Sequence, residues 1–179
     1  MSRPLRFALA LCLLGPLVLL WPLPVAWPDG LLTSPAGEGA RHVWGWWAAL
    51  QGGQVFGGYT DLIGFPDGVT SPLIDPAHLL PYALGGALVG PGLGLGLVLW
   101  LGVGVSGLAT LALAREAGAE GWGLVLAAGV GIACPTVIAI AVDGITEGLG
   151  VGWVGLQLAL LLSLRQDAAW WRVALFALV

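Results

Sequence analysis

An all-α, polytopic membrane fold is what this sequence predicts, and three observations carry that expectation. First, 58% of the 179 residues are hydrophobic and only 9% are charged, with a mean hydropathy of +0.94. A soluble domain carries about a quarter charged residues. Second, apolar runs near the roughly 20 residues that a bilayer-crossing helix needs recur along the chain, separated by turns rich in Gly and Pro. Third, threading those runs through a bilayer puts Arg3, Arg6, Arg115, Arg165 and Arg172 on one side and leaves only Arg41 on the other. The expectation is a single transmembrane domain over 1–179, with about four complete spans, an incomplete fifth, and an outer-face loop carrying amphipathic surface helices. The six cations form no basic patch, so a nucleic-acid partner is excluded and the lipid bilayer is the expected one. Cys12 and Cys134 each sit inside an apolar run, which predicts small buried hydrophobes rather than a disulfide.

The first span is expected over 5–24, with Pro16 bending it by removing a backbone donor. A basic start at Arg3 and Arg6 resembles a signal peptide, but the run is long for one and lacks an Ala-x-Ala end, so an uncleaved span is expected. Residues 28–90 form the outer loop, too rich in Gly, Pro and acids to be immersed. The next apolar stretch, 79–114, would be about 54 Å long as one helix and must break. Gly90-Pro91 is the natural place, because Pro suits a first helical turn and disfavours helix in the residue before it. That leaves a short surface or re-entrant helix over 76–89 and a second span over 91–114. A third span is expected over 122–142 and a fourth over 145–164, joined by a tight turn at Asp143-Gly144. A fifth begins at 168 and is incomplete at Val179, which predicts a longer protein.

Lys and Arg accumulate in short cytoplasmic loops, so the amino terminus is expected to be cytoplasmic. Were 76–89 a full crossing, Arg115, Arg165 and Arg172 would flip outside, which supports the break at Gly90-Pro91 a second time. Asp29, Glu38, Asp61, Asp67, Asp75, Asp143 and Glu147 then face outward, with Glu116, Glu120 and Asp167 inside. The second span carries Gly92, Gly94, Gly96, Gly102, Gly104 and Gly107, spacing that lets a neighbouring backbone approach. Its Gly102-Val-Gly-Val-Ser-Gly107 matches a dinucleotide fingerprint in letters only, since no strand precedes it.

Residues 37–47 read as an amphipathic helix in which Glu38, Arg41 and His42, three and four apart, share a face. Trp44, Trp46 and Trp47 suit the headgroup layer. The plain alternative for the trio is a helix-start acid favoured by the dipole beside an incidental pair. Asp143 and Glu147, at i and i+4, read equally as a hydrated turn or as a polar site at the bilayer rim. Asp61, Asp67 and Asp75 are explained first by capping and turns, and His78 by packing at the headgroup level.

The pattern from Glu38 through His42, Trp44 and Trp47, then Tyr59-Thr-Asp61-Leu-Ile-Gly-Phe65-Pro66-Asp67-Gly68 and Asp75-Pro76, resembles the amino-terminal region of bacterial GT-C-type membrane glycosyltransferases. Asp143-Gly-Ile-Thr-Glu147-Gly-Leu-Gly-Val-Gly-Trp153 looks like the second outer turn of the same group. The resemblance implies a bacterial inner-membrane enzyme that takes sugar from a polyprenyl-phosphate donor at the outer face, of which this chain is the front portion. Family members usually carry Asp in the first outer loop where Glu38 stands here, and they are commonly several times longer. On that basis Glu38, Arg41 and His42 are the expected catalytic residues, with Glu38 as base, Arg41 facing the phosphate and His42 as proton relay or metal ligand. Asp143, Glu147, Trp44 and Trp47 are expected to contact the donor. No cofactor is implied with certainty; a divalent metal would sit on Glu38, His42 and Asp143 or Glu147, although no dedicated ligand spacing such as H-E-x-x-H occurs.

Two other classes compete. A non-catalytic membrane subunit or truncated remnant would use the glycines of the second span, Gly96 and Gly104 among them, to dock partner helices or missing carboxy-terminal spans. A transporter fragment would need an internal charge, and neither 91–114 nor 122–142 holds one.

Overall fold

A computed structural model describes residues 1–21, 38–52, 58–60, 69–71, 75, 78–165 and 169–178. The order of elements is α1 (Arg3–Leu19), α2 (Gly39–Gly52), β1 (Gly58–Thr60), β2 (Val69–Ser71), α3 (Leu79–Leu88), α4 (Pro91–Glu116), α5 (Trp122–Ile132), α6 (Pro135–Asp143), a 3₁₀ turn (Thr146–Leu149), α7 (Gly150–Leu164) and α8 (Trp170–Leu178). The described residues outside turns are helical apart from the antiparallel pair of β1 and β2, in which Tyr59 faces Thr70, a feature the loop composition did not announce. Asp29, Asp61 and Asp67, and the expected end of the first span at Pro24, lie outside the described residues.

Three helical segments are long and apolar enough to cross a membrane: Pro91–Glu116, Trp122–Asp143 and Thr146–Leu164. They match the second, third and fourth expected spans to within two residues. α1 is 17 residues long, and Ser2 caps it by accepting the Leu5 N–H at 3.5 Å. Among the described residues the fifth expected span is the nine-residue α8. The expected break falls where the sequence placed it: Gly90 adopts a φ of 145°, which L side chains rarely tolerate, and Pro91 opens α4. A second break was not foreseen. Residues 133–134 divide the third span, because Pro135 cannot donate to the ladder and opens α6.

The described chain divides into two compact units. One comprises 1–21, 100–141 and 148–179; the other comprises 22–99 and 142–147. In the first, the glycines of α4 are where neighbouring helices come close. A Cβ on Gly107 would meet Ile132 and Cys12 Sγ, and one on Gly104 would lie 3.0 Å from the Cys12 carbonyl. On the facing helices, a Cβ on Gly131 would lie 2.7 Å from the Ser106 carbonyl, and one on Gly152 2.9 Å from the Ser106 nitrogen. Helices without Cβ atoms at the crossing gain contact between backbones, which is how spans associate where burial of apolar surface brings no advantage over lipid. The hydroxyls of Ser106 and Thr110 bond back to the carbonyls of Gly102 (3.0 Å) and Ser106 (2.9 Å), so no donor is left bare. Trp100 Nε1 donates to the Leu13 carbonyl at 2.8 Å and ties α1 to α4.

Gly131→Ala is therefore expected to destabilise the chain by about 1–3 kcal/mol, the usual range for overpacking. Gly150→Ala, whose Cβ would meet nothing within 4 Å, should leave stability unchanged or slightly raised. Thermal unfolding of the two variants in one detergent measures the difference.

Candidate functional site

The second unit gathers a polar cluster from three pieces of chain: the start of α2, Asp75 with His78 before α3, and the turn at 143–147. Glu38 precedes α2, where its carbonyl accepts the Arg41 and His42 N–H groups at 2.9 and 3.1 Å and its carboxylate faces the positive end of the helix dipole. The Glu38 N–H donates to the Asp143 carbonyl at 2.8 Å, fixing the loop to the turn. Gly144, with φ of 71°, reverses the chain there and brings Thr146 and Glu147 over α2.

α2 has one buried stripe, Gly39, His42, Trp46 and Ala49, at helical spacing. Within the trio expected on one face, Glu38 lies against both partners, but His42 belongs to the buried stripe and Arg41 does not. His42 is buried with no exposed side-chain surface, while the Arg41 side chain is 66% exposed and pairs with Glu38 Oε1 at 3.4 Å. The tryptophans split as well. Trp44 and Trp47 are exposed, as a headgroup position requires, but Trp46 is fully buried and its ring packs between His42 (5.7 Å) and Tyr82 (4.9 Å). Its indole N–H donates to the Asp75 carbonyl at 3.1 Å, so Trp46 is an internal anchor rather than part of a headgroup belt.

Asp75 is the hub. Its backbone stands at φ 55°, uncommon for any residue but glycine and most tolerable for Asp and Asn. Its side chain is only 6% exposed and lies 2.6 Å from His78 Nδ1, itself buried. It also bonds to Thr146. Burial acts to raise the Asp75 pKa, but the bonds to His78 and Thr146 and the attraction of the two imidazoles outweigh it, leaving the pKa below 3.8. Both residues thus depart from the roles that sequence gave them: Asp75 is more than a cap, and His78 packs through an ion-pair geometry. The Asp-x-x-His spacing was visible, yet it reads the same way in any helix start.

The remaining contacts converge on His42. Thr146 Oγ1 lies 3.3 Å from its Nδ1. Glu147 Oε2 lies 2.9 Å and Glu38 Oε2 4.0 Å from its Nε2. Both carboxylates are about half-exposed, at 49% and 43%, so the cluster has a dry back and a wet front. Of the residues read from sequence, Glu38, Arg41, His42 and Glu147 are brought together. Asp143 contributes its backbone carbonyl to the same place, while Trp44 and Trp47 lie on the exposed side of α2, off its buried stripe. Thr146, Asp75 and Trp46 were missed; a lone Thr beside a Glu carries no sequence signal at all.

The Asp75 pKa sets an expectation for acid. A carboxyl whose folded pKa lies below its unfolded value adds stability that is fully present above about pH 3.8 and lost as pH falls below it. Asp75→Asn should cost about 1–3 kcal/mol at neutral pH by leaving buried donors without an ionised acceptor. The variant should also lose less stability than wild type on going to about pH 3, as unfolding scans at two pH values would measure.

Comparison with family models, with curated proteins and with solved structures finds no match.

Proposed function

We propose that the chain forms the donor-side region of a GT-C-type membrane glycosyltransferase, with a polyprenyl-phosphate sugar as donor. The observation that carries this is the meeting of two segments far apart in sequence, 38–42 and 143–147, which the resemblance names as outer loops of such an enzyme. They meet through Glu38 N–H to the Asp143 carbonyl (2.8 Å) and His42 Nε2 to Glu147 Oε2 (2.9 Å).

The chemistry follows from where each group stands. An acceptor hydroxyl attacks the anomeric carbon, the carbon–oxygen bond to the phosphate breaks with its electron pair, and the hydroxyl proton passes to Glu38. Glu38 suits the base because it is ionisable, half-open to solvent and held at a helix start. Arg41, exposed on the same turn, suits the departing phosphate, which a guanidinium stabilises through paired charged hydrogen bonds. The donor's lipid tail would lie along the apolar helices, with Trp44 and Trp47 at the headgroup level. The corresponding setting is a bacterial inner membrane with the amino terminus in the cytoplasm, so that the cluster faces outward. The rival reading as a docking subunit draws less support, since Gly104 and Gly107 already face α1 and α5 residues of the chain itself.

Glu38→Gln, in the protein expressed from its whole reading frame, is expected to lower sugar transfer about 10²–10⁴-fold, the range for loss of a general base. Membrane insertion should be unchanged. Transfer from a radiolabelled polyprenyl-phosphate sugar in isolated membranes gives the rate; wild-type activity in the variant would remove Glu38 from the reaction.

A further inference from the structure

We propose that Glu38, His42 and Glu147 bind one divalent transition-metal cation of the zinc or manganese class. The site stands whether or not the protein transfers sugar.

The state of His42 comes first. Asp75 is held as a carboxylate and can only accept, so the Thr146 hydroxyl bonded to it must donate. The Thr146 oxygen is then left to accept from His42 Nδ1, 3.3 Å away. The network therefore places a proton on Nδ1 and turns Nε2 towards the two glutamates. Metal-bound histidines are characteristically set in this way, by an outer hydrogen bond that fixes the tautomer and the ring plane. Nε2 is buried, and it has no hydrogen-bond partner among the described residues.

Glu147 Oε2 sits 2.9 Å from that nitrogen but outside the arc in which it could hydrogen-bond. With Nε2 deprotonated, as a metal ligand must be, that nitrogen and the carboxylate oxygen are both acceptors and need a positive charge held between them. Two ligand atoms at right angles on one octahedral cation, with bonds of about 2.1 Å, are about 3 Å apart, each off the other's lone-pair axis, whereas on a tetrahedral cation they are about 3.4 Å apart. The octahedral relation is the one seen here. Glu38 Oε2, 4.0 Å from the same nitrogen, is near the separation of about 4.2 Å expected for ligands on opposite sides of such a cation. Arg41 takes the other oxygen, Oε1, and so leaves Oε2 available. The ligand atoms of the three residues all lie within 4.8 Å of one another. Two half-exposed glutamates can close the remaining gap by small side-chain rotations.

The donor set chooses the metal. Calcium and magnesium prefer oxygen alone, whereas an imidazole with two carboxylates suits Zn²⁺ or Mn²⁺. Three protein ligands with a solvent-facing front also leave coordination positions open, as at catalytic rather than structural sites.

The experiment titrates the chelator-washed full chain, in detergent, with Mn²⁺ while electron paramagnetic resonance follows the free ion, and then displaces it with Zn²⁺. One saturable Mn²⁺ per chain is expected. Glu147→Gln should weaken it at least about 10-fold, and so should Glu38→Gln, with elution and circular dichroism unchanged. Thr146→Val should weaken it by about 10–100-fold, the usual effect of losing a bond that orients a ligand, and Thr146→Ser should restore it. Absence of saturable binding of both ions, or wild-type affinity in folded Glu38→Gln and Glu147→Gln chains, would overturn the site. Wild-type affinity in Thr146→Val would overturn the role of the hydrogen-bonded chain.

Discussion

The buried carboxylate of Asp75 is the constraint around which the second unit is organised. An ionised group this enclosed is tolerated only if its partners supply what water would. His78 and Thr146 do so through its side chain, and Trp46 through its carbonyl. Each of those partners belongs to a different segment, so satisfying one aspartate aligns α2, the start of α3 and the turn at 143–147 at once. The position of His42, and hence of the two glutamates around it, follows from that alignment. A left-handed backbone at a non-glycine residue costs of order 1–3 kcal/mol, and it persists at Asp75 because three segments hold it.

The first unit obeys a different rule. Around α4 the polar groups are few and the contacts are between backbones, with glycine on one helix or both. Within that unit, residues 100–116 of α4 meet α1, α5 and α7 through glycines on one side or the other. Exposed Trp122, Leu126 and Val130 on α5, and Val151, Val154, Leu158 and Leu161 on α7, recur at helical spacing. Such stripes would be an aggregation hazard in water and are the expected face towards lipid.

Much of the helical framework was legible because its causes are local. Length, hydropathy and the Gly90-Pro91 pair determine where helices can run and must stop, and these need no knowledge of neighbours. The break at Pro135 was equally local and was passed over because the run around it is uniformly apolar. The polar site was legible only in part. Glu38, Arg41 and His42 could be paired by helical spacing, but which of them turns inward depends on Trp46 and Ala49 finding a buried surface. That is a tertiary fact. Asp75 and Thr146, separated by 71 positions, have no periodicity to betray their contact, and both residue types occur routinely as caps. Thr146 joins Asp75 to His42, so the residue that links the two buried groups was the one with the weakest sequence signal.

Charge links the two proposals while leaving them separable. The wet front of the cluster presents two carboxylates and one guanidinium, a net negative surface, to any ligand that approaches. Arg41 would be shared between Glu38 and any phosphate that approached, and solvent screens it. A divalent cation held as proposed by Glu38, His42 and Glu147 would reverse the sign and offer open positions to phosphate oxygens. It also changes what Glu38 can do, because a carboxylate that coordinates a metal is a weaker base. The two oxygens of the Glu38 carboxylate are already inequivalent in the geometry: Oε1 faces the guanidinium and Oε2 faces the imidazole.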